Sequence, residues 1–186
     1  GSRLKGLEIA GFTPDKPVLL IIGGSLGSVA VNTAVRNILP ELLKEFQVIH
    51  ICGKKNVDES LKGTPGYVQY GYVSEELKDL FATADIVISR AGANAICELL
   101  ALRKPALLIP LSAAASRGDQ LLNAESFRKQ GFSDVLQEEE ITDEVLLARI
   151  HHLYETREEY RTAMEKSNLG NAVQTIVELL DSLCEK

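Results

Sequence analysis

The sequence predicts an α/β fold in which a parallel β-sheet carries helices on both faces. Short apolar runs alternate along the chain with segments in which apolar residues recur at helical spacing. Two of the runs, residues 17–22 and 105–110, are apolar at every position, which is typical of strands buried on both faces of a parallel sheet. Alternating strands and helices favour right-handed crossovers between parallel neighbours. We expect strands at residues 17–22, 47–52, 67–70, 84–88, 105–110 and 132–136.

Helical periodicity fills most of the segments between these strands. After the first strand, the pattern runs to Leu39, is interrupted at Pro40 and resumes at Leu42 and Leu43. Ser74 precedes two glutamates, an order typical of a helix N-cap followed by an acidic first turn. We expect no element before the first strand. Further helical patterns cover residues 77–84, 95–102, 121–127, 142–150, 157–166 and 172–183.

The composition indicates one globular domain. The chain has 186 residues, of which 45% are hydrophobic and 25% charged, and a net charge of −6 with scattered basic residues, which argues against nucleic acid as the main partner. Cys52, Cys97 and Cys184 form no CxxC pair, so we expect reduced thiols and no zinc site. No membrane span or signal peptide is recognisable. We treat 1–186 as a single domain, whose direct start at a strand suggests an origin in a longer protein.

A glycine-rich turn, Gly-Gly-Ser-Leu-Gly-Ser, follows the first strand at residues 23–28. Such a turn between a strand and a helix lets main-chain amides approach a pyrophosphate. It lacks the Lys-Ser or Lys-Thr pair of a P-loop and the GxGxxG spacing of a dinucleotide fingerprint. The next strand ends in Gly-Lys-Lys and not in the acid that would hold an adenosine ribose. The turn therefore predicts a phosphate or sugar-phosphate ligand, with a purely structural glycine turn as the alternative.

A second small-residue turn lies between Ser89 and Glu98, after another buried strand. Gly92 stands between two alanines, which lets the backbone turn tightly and approach a ligand closely. The amides that open the next helix would face outward at the positive end of its dipole, which suits an anion. Glu98 follows about one turn later, and a carboxylate there can accept from both hydroxyls of a ribose. The alternative is an ordinary strand-to-helix turn in which the glutamate caps the helix or pairs locally.

Two further loops follow strand carboxyl ends, one at Tyr72 and Val73 and the other at residues 111–120. The carboxyl ends of parallel strands lie along one edge of a sheet, and ligands bind there near the switch in strand order. Four loops on one edge therefore predict a site for a phosphate-bearing nucleotide.

No catalytic triad or Cys–His pair is recognisable in the sequence. We interpret His50 as a strand side chain and the adjacent His151 and His152 as a solvated helix face. The three glutamates at 138–140 are interpreted as a solvated loop without chemistry. No metal site is expected.

Three motifs in this order and spacing resemble the C-terminal domain of the MurG family: residues 23–28, residues 90–93 with Glu98, and residues 119–120 with 123–124. The family comprises the GlcNAc transferases of peptidoglycan synthesis, and the resemblance covers nearly the whole chain. It implies a Rossmann-like domain that forms one half of a two-domain GT-B glycosyltransferase. The acceptor domain, with its presumed general base, would be the missing N-terminal half.

The resemblance also implies roles for residues at the phosphate and uracil positions. Ser25 and the neighbouring amides would contact the diphosphate of UDP-GlcNAc. Backbone groups near Val73 would read the uracil edge, with Tyr72 packing beside it. The amides of Ala93 and Asn94 would face phosphate or sugar.

The remaining roles concern the ribose and the sugar. Glu98 would hold the ribose hydroxyls, and Asp119 and Gln120 would bind GlcNAc hydroxyls. Asp119 departs from the glutamine or histidine usual in the family, although its carboxylate still accepts from hydroxyls. The candidate UDP-GlcNAc-binding residues are Gly24, Ser25, Gly27, Tyr72, Val73, Arg90, Gly92, Ala93, Asn94, Glu98, Asp119 and Gln120.

The function implied by the resemblance is inverting transfer of GlcNAc from UDP-GlcNAc to lipid I, giving lipid II for the cell wall, cell shape and cell division. The full-length protein would be cytoplasmic and peripheral to the inner face of the bacterial membrane, with membrane contact mainly through the missing domain. This domain alone would bind the donor without catalysing transfer, and it would need no cofactor. The alternatives are the donor domain of another GT-B UDP-sugar transferase, such as the subunit of dolichol-linked synthesis, and a non-catalytic nucleotide-binding domain.

Overall fold

The computed structural model describes residues 1–24, 26–112 and 118–167. All the strand pairs in it are parallel, and the six strands form one sheet, which confirms the predicted α/β class. The strands are β1 (Val18–Ile22), β2 (Gln47–Ile51), β3 (Tyr67–Tyr70), β4 (Ile86–Ser89), β5 (Ala106–Leu108) and β6 (Asp134–Val135).

Helices connect the strands, and within the described ranges none is long and apolar enough to cross a bilayer. Short 3₁₀ turns lie at Glu59–Leu61 and Glu138–Glu140. The helices are α1 (Arg3–Ala10), α2 (Val29–Asn37), α3 (Leu39–Glu45), α4 (Leu77–Thr83), α5 (Ala93–Ala101), α6 (Asp119–Lys129), α7 (Asp143–Glu155) and α8 (Arg157–Lys166).

The strand order is β3-β2-β1-β4-β5-β6. The chain moves outward from β1 to β3 on one side and then from β4 to β6 on the other. The connections that leave β1 and β4 therefore diverge in opposite directions, although the two strands are neighbours. This is a topological switch point, the place where open parallel sheets bind ligands.

Each face of the sheet is covered by its own apolar layer. Leu19 and Ile21 of β1 pack with buried side chains of α2, α3 and α7. Leu20 points to the opposite face and packs with side chains of α1, α4 and α5. This alternation within one continuous apolar run is what a strand buried on both sides requires.

The expectation that no element precedes the first strand was wrong, because α1 lies there and packs against α4. Leu7 is buried, whereas Leu4 is 79% exposed, so the apolar residues of α1 do not mark one face clearly. A Cβ at Gly6 would lie 2.3 Å from the Asp79 carbonyl oxygen, so glycine lets the two helices approach closely. Arg3 donates to the carbonyl oxygen of Thr83 at 2.6 Å. Contacts with α4 and not local periodicity stabilise this helix.

The predicted interruption of the helical segment after β1 is confirmed, but it lies at Ile38, between the end of α2 at Asn37 and the start of α3 at Leu39, and Pro40 stands in the first turn of α3. The predicted cap at Ser74 was wrong: Glu76 holds the N-cap position of α4 and gives no side-chain cap. The Ser74 carbonyl instead accepts from the Leu77 amide. The helix predicted at residues 172–183 lies outside the described residues.

A buried polar network joins β2 to α2 and confirms His50 as a strand side chain. Its Nδ1 lies 2.9 Å from the Tyr67 hydroxyl, and its Nε2 lies 2.9 Å from Asn32 Oδ1. The Asn32 amide nitrogen donates to the Cys52 carbonyl at 2.9 Å, so Oδ1 is the acceptor that faces the ring. Nε2 therefore carries the imidazole proton, and Nδ1 accepts from Tyr67.

This network holds the imidazole neutral. Burial, together with the positive charge of Arg36, lowers the pKa of His50 to about 3. Burial also raises the pKa of the Tyr67 hydroxyl to about 12, so this group stays a donor. Both shifts favour the same proton arrangement.

His50 should make stability depend on pH. Between its unfolded pKa of 6.5 and its folded pKa of about 3, the unfolded chain binds more protons, so stability falls as the pH falls. The slope from this residue is at most about 1.4 kcal/mol per pH unit and disappears above pH ~6.5. Urea unfolding of wild type and His50→Gln between pH 4 and 7 should show a flatter profile for the variant.

His152→Gln is the matched control, because His152 lies on the exposed face of α7. It should retain the wild-type slope. An identical slope in wild type and His50→Gln would contradict the neutral, buried assignment.

Candidate functional site

A cleft of about 790 Å³ opens at the carboxyl ends of β1 and β4. It is bounded by the glycine turn with the start of α2, by the turn before α5 with its first turns, and by Leu111 and Glu138. Tyr72, Val73 and Asp119 do not line it, and Ser25 lies outside the described residues. The sequence-predicted residues that line the cleft are Gly24, Gly27, Arg90, Gly92, Ala93, Asn94, Glu98 and Gln120.

The glycine turn is held against the end of β2. Gly27 has φ +78°, and a Cβ there would lie 1.9 Å from the Cys52 carbonyl oxygen. The Asn56 amide nitrogen donates to the carbonyls of Leu26 at 3.2 Å and Cys52 at 3.1 Å. These contacts favour a packing role for Gly27, whereas the space beside Gly24 is open.

The start of α5 has no side-chain cap. Gly92 occupies the N-cap position, and the first helical hydrogen bond runs from the Ile96 amide to the Gly92 carbonyl. The amides of Ala93, Asn94 and Ala95 have no hydrogen-bond partner within the described chain, and all three residues line the cleft. Uncapped amides at the positive end of a helix dipole form a site for an anion.

Gly92 itself does not adopt a glycine-only conformation, because its φ is −65°. The tight-turn argument from the sequence was therefore wrong at this position. A Cβ there would meet none of the described residues within 4 Å, which leaves space above Gly92 for a ligand.

The start of α2 is capped, in contrast to α5. The Ser28 side chain accepts from the Val31 amide at 3.3 Å. This difference between the two helices that begin at the cleft makes the α5 N-terminus the better anion site.

Arg90 fills the floor of the cleft and is only 9% exposed. Its Nη1 donates to the carbonyls of Ile109 at 3.1 Å and Pro110 at 3.2 Å. Its Nη2 donates to Ser28 Oγ at 2.6 Å and lies 2.5 Å from Glu138 Oε2. The guanidinium thus joins three separate segments of the chain, which favours a positioning role.

The interpretation of the glutamate run as a solvated loop was wrong for Glu138. Its side chain is 27% exposed, lines the cleft and pairs with Arg90. Glu139 and Glu140, next to it in the 3₁₀ turn, are exposed as expected. Sequence analysis missed Glu138 because 48 residues separate it from Arg90 along the chain.

Glu98 lies between the cleft and a second depression of about 420 Å³, which Ser74 and Glu75 help to line. Both hollows share Glu98 and Phe81. No described residue forms an ion pair or side-chain hydrogen bond with the Glu98 carboxylate, which disfavours the local cap or ion pair considered above. A ligand that extends from one hollow to the other would pass this carboxylate.

The loop after β3 lies next to the second depression. Tyr72 is 58% exposed, and Lys54 Nζ lies 5.1 Å from the centre of its ring. Val73 is half-buried and packs on the apolar layer beneath α4.

The start of α6 borders the opposite end of the cleft. Asp119 is exposed, and Gln120 Oε1 accepts from the Leu111 amide at 3.0 Å. The Asn123 amide nitrogen donates to the Ala91 carbonyl at 3.0 Å, which ties α6 to the turn before α5. Part of the loop before α6, residues 113–117, lies outside the described residues. Among the described residues, no group of three or more His, Cys, Asp or Glu could hold a metal ion.

Replacing Glu138 by Gln should destabilise the protein more than replacing its neighbour. Removing the carboxylate leaves the buried guanidinium of Arg90 without its counter-charge, and Glu138 is partly exposed, so we expect a loss of about 1–3 kcal/mol. For a domain of this size this lowers Tm by several degrees. Thermal unfolding of wild type and Glu138→Gln, both without ligand, measures this loss of stability.

Glu139→Gln is the matched control, since it removes the same charge from the adjacent exposed position. Its effect should stay within about 0.5 kcal/mol. Equal effects of the two substitutions would show that the buried pair does not stabilise the fold.

Curated relatives resemble the chain closely over its whole length. A protein of Lachnospira eligens is 59% identical over 180 residues, which are 97% of this chain and 51% of the relative. One of Geobacillus thermodenitrificans is 59% identical over 182 residues, with 98% and 51% covered. Both are named UDP-N-acetylglucosamine--N-acetylmuramyl-(pentapeptide) pyrophosphoryl-undecaprenol N-acetylglucosamine transferase. The chain spans about half the length of the curated relatives that it matches.

Solved structures agree with the fold. Acinetobacter baumannii MurG superposes with a TM-score of 0.74 at 26% identity, over 98% of this chain and 53% of that one. The calicheamicin glycosyltransferase CalG4 superposes with a TM-score of 0.69 at 18% identity, over 93% and 45%. The second likeness concerns the fold alone.

These findings confirm the resemblance inferred from the three motifs. A family model described as the glycosyltransferase family 28 C-terminal domain matches residues 18–180. The chain belongs to the glycosyltransferase family 28 C-terminal domain family.

Proposed function

We propose that this chain binds UDP-GlcNAc and forms the donor half of a transferase that adds GlcNAc to lipid I. The relatives at 59% identity carry the name of that enzyme, which supports the choice of both substrates. Since the chain spans about half of their length, the acceptor site and the general base belong to the other half in this proposal. Proximity and base catalysis require both halves. The whole protein would act at the cytoplasmic face of the bacterial membrane.

The observation that carries the proposal is the uncapped start of α5 beside the carboxylate of Glu98, which has no ion-pair or side-chain hydrogen-bond partner among the described residues. The free amides of Ala93, Asn94 and Ala95 suit a diphosphate. Glu98 lies one turn further, where the cleft meets the second depression. A nucleoside diphosphate has the same order of groups, since its ribose separates the phosphates from the base.

The two ends of the ligand follow from this orientation. The second depression would hold uracil, with the backbone of Val73 at its edge and Tyr72 beside it. The sugar would extend toward Asp119 and Gln120 at the start of α6. As the bond between the sugar and the diphosphate breaks, amides and helix dipoles would stabilise the charge that develops on the leaving group.

Nucleotide titrations test the proposal. The chain should bind UDP more tightly than UMP, because UMP lacks one phosphate for the α5 amides. It should also bind UDP more tightly than ADP or GDP, because the second depression is assigned to uracil. Isothermal titration of the four nucleotides under one buffer measures both differences.

Each failure has a distinct meaning. Equal affinities for ADP and UDP would remove the uracil assignment. In a companion titration of the two nucleotide sugars, stronger binding of UDP-glucose than of UDP-GlcNAc would indicate another sugar transferase. Absence of binding to any of these ligands would favour a non-catalytic domain of the same fold.

Glu98→Gln should weaken UDP binding without affecting the fold. A hydrogen bond to a charged acceptor contributes about 1.5–3 kcal/mol, so we expect a loss of roughly 1–3 kcal/mol, or about five- to a hundredfold. The wild type should lose affinity for 2′-deoxy-UDP, and the variant should barely distinguish 2′-deoxy-UDP from UDP. Titration of UDP and 2′-deoxy-UDP into both proteins measures the two affinities, and a thermal unfolding curve of each protein tests whether the fold is unchanged.

Glu8→Gln supplies the control, because Glu8 is an exposed glutamate on α1, away from the cleft. It should bind UDP as the wild type does. A Glu98→Gln variant with wild-type affinity for UDP would end the ribose assignment, and a lower Tm with unchanged affinity would indicate a local structural role.

A further inference from the structure

We infer that the Ser28 hydroxyl donates a hydrogen bond to the diphosphate and that the buried Arg90–Glu138 pair orients it. The sequence analysis assigned the diphosphate to Ser25 and to neighbouring amides, and it gave no role to Ser28. The inference rests on the proposed function, because it names a further ligand-binding residue of the same cleft.

The first step is the hydrogen-bond capacity of this serine. A hydroxyl has one proton to donate and two lone pairs that accept. Ser28 Oγ accepts from Arg90 Nη2 at 2.6 Å and from the Val31 amide at 3.3 Å. Both lone pairs are therefore engaged, and the hydroxyl proton is left to donate in a third direction.

The second step is the surroundings of that proton. Ser28 is only 6% exposed, yet it lines the cleft. No described residue accepts a hydrogen bond from its hydroxyl. A buried donor without an acceptor is costly, and a phosphate oxygen that enters the cleft would satisfy it.

The third step is the restraint on the rotation of the hydroxyl. Arg90 cannot move freely, because the carbonyls of Ile109 and Pro110 accept hydrogen bonds from its Nη1 and its Nη2 forms an ion pair with the carboxylate of Glu138. The guanidinium in turn occupies one lone pair of Ser28 from a fixed direction. The serine donor is thereby preorganised before the ligand arrives, which reduces the cost of binding.

This geometry gives the two helices at the cleft different roles. The start of α5 presents its main-chain amides directly to the cleft. At the start of α2, the N-cap serine accepts hydrogen bonds from an amide of the same helix and from Arg90. Besides the proton of that serine, α2 offers an anion the amides of Val29 and Ala30, which line the cleft and have no partner among the described residues. Ser28 and the α5 amides line the same cleft, so both can act on one diphosphate.

Ser28→Ala tests the inference directly. The variant loses the donor, and a hydrogen bond to a charged acceptor predicts UDP binding about tenfold weaker than in the wild type. Affinity for uridine, measured by ligand-observed NMR, should change less than about twofold, because uridine has no phosphate. Equal weakening of UDP and uridine binding would show a general structural effect of the substitution and would overturn the inference.

Thr142→Ala is the matched control for the lost helix cap. Thr142 caps α7 by accepting from the Val145 amide and does not line the cleft. This variant should be less stable than the wild type but should bind UDP with unchanged affinity. A tenfold loss of UDP affinity in Thr142→Ala as well would show that cap loss alone weakens binding, which would overturn the inference.

Ser28→Asp removes the donor by a second substitution. Aspartate still caps α2 and still pairs with Arg90, but the carboxylate has no proton to donate and repels phosphate. UDP binding should weaken by more than in Ser28→Ala, with uridine binding retained. Wild-type affinity for UDP in either Ser28 variant would overturn this inference alone, whereas failure of the wild type to bind UDP would overturn the proposed function as well.

Discussion

The parallel pairing of β1 with β4 is the constraint on which the cleft depends. Ile22 lies opposite Ser89 at the carboxyl ends of the two strands. After β1 the chain continues toward β2 on one side of the pair, and after β4 it continues toward β5 on the other side. The crevice between the diverging connections cannot be filled by either of them. Both α2 and α5 begin there, so the positive ends of two helix dipoles face one space.

A buried cation secures this arrangement. Arg90 connects the start of α2, the residues after β5 and the 3₁₀ turn before α7 through one guanidinium. Removing a charge from water costs free energy. The ion pair with Glu138 offsets this cost only if the two side chains are held in a favourable geometry. The same contacts of Arg90 form the floor of the cleft. The stability of the fold and the shape of the site therefore depend on one side chain.

The rest of the molecule leaves this edge free for binding. Apolar layers on both faces of the sheet bury β1 completely from Val18 to Ile21, and the neutral His50 network pairs the buried side chains of Asn32, His50 and Tyr67. The strands are therefore held by packing that does not involve the loops. Amides at the start of α5 and the carboxylate of Glu98 can remain without partners among the described residues because the packing of the sheet does not depend on them.

The sequence by itself determined the α/β class, the buried strands, a break in the helical segment near Pro40 and the two turns, at residues 23–28 and 89–94, that line the cleft. Apolar runs, helical periodicity and glycine turns are local signals, and local signals specify elements and their ends. The tertiary structure decided the rest. Docking on α4 stabilises α1, which has no clear periodicity. Only the fold brings Glu138 to Arg90 and Arg90 to Ser28, because electrostatic and hydrogen-bond energies depend on distance and burial in space, and neither quantity follows from spacing along the chain.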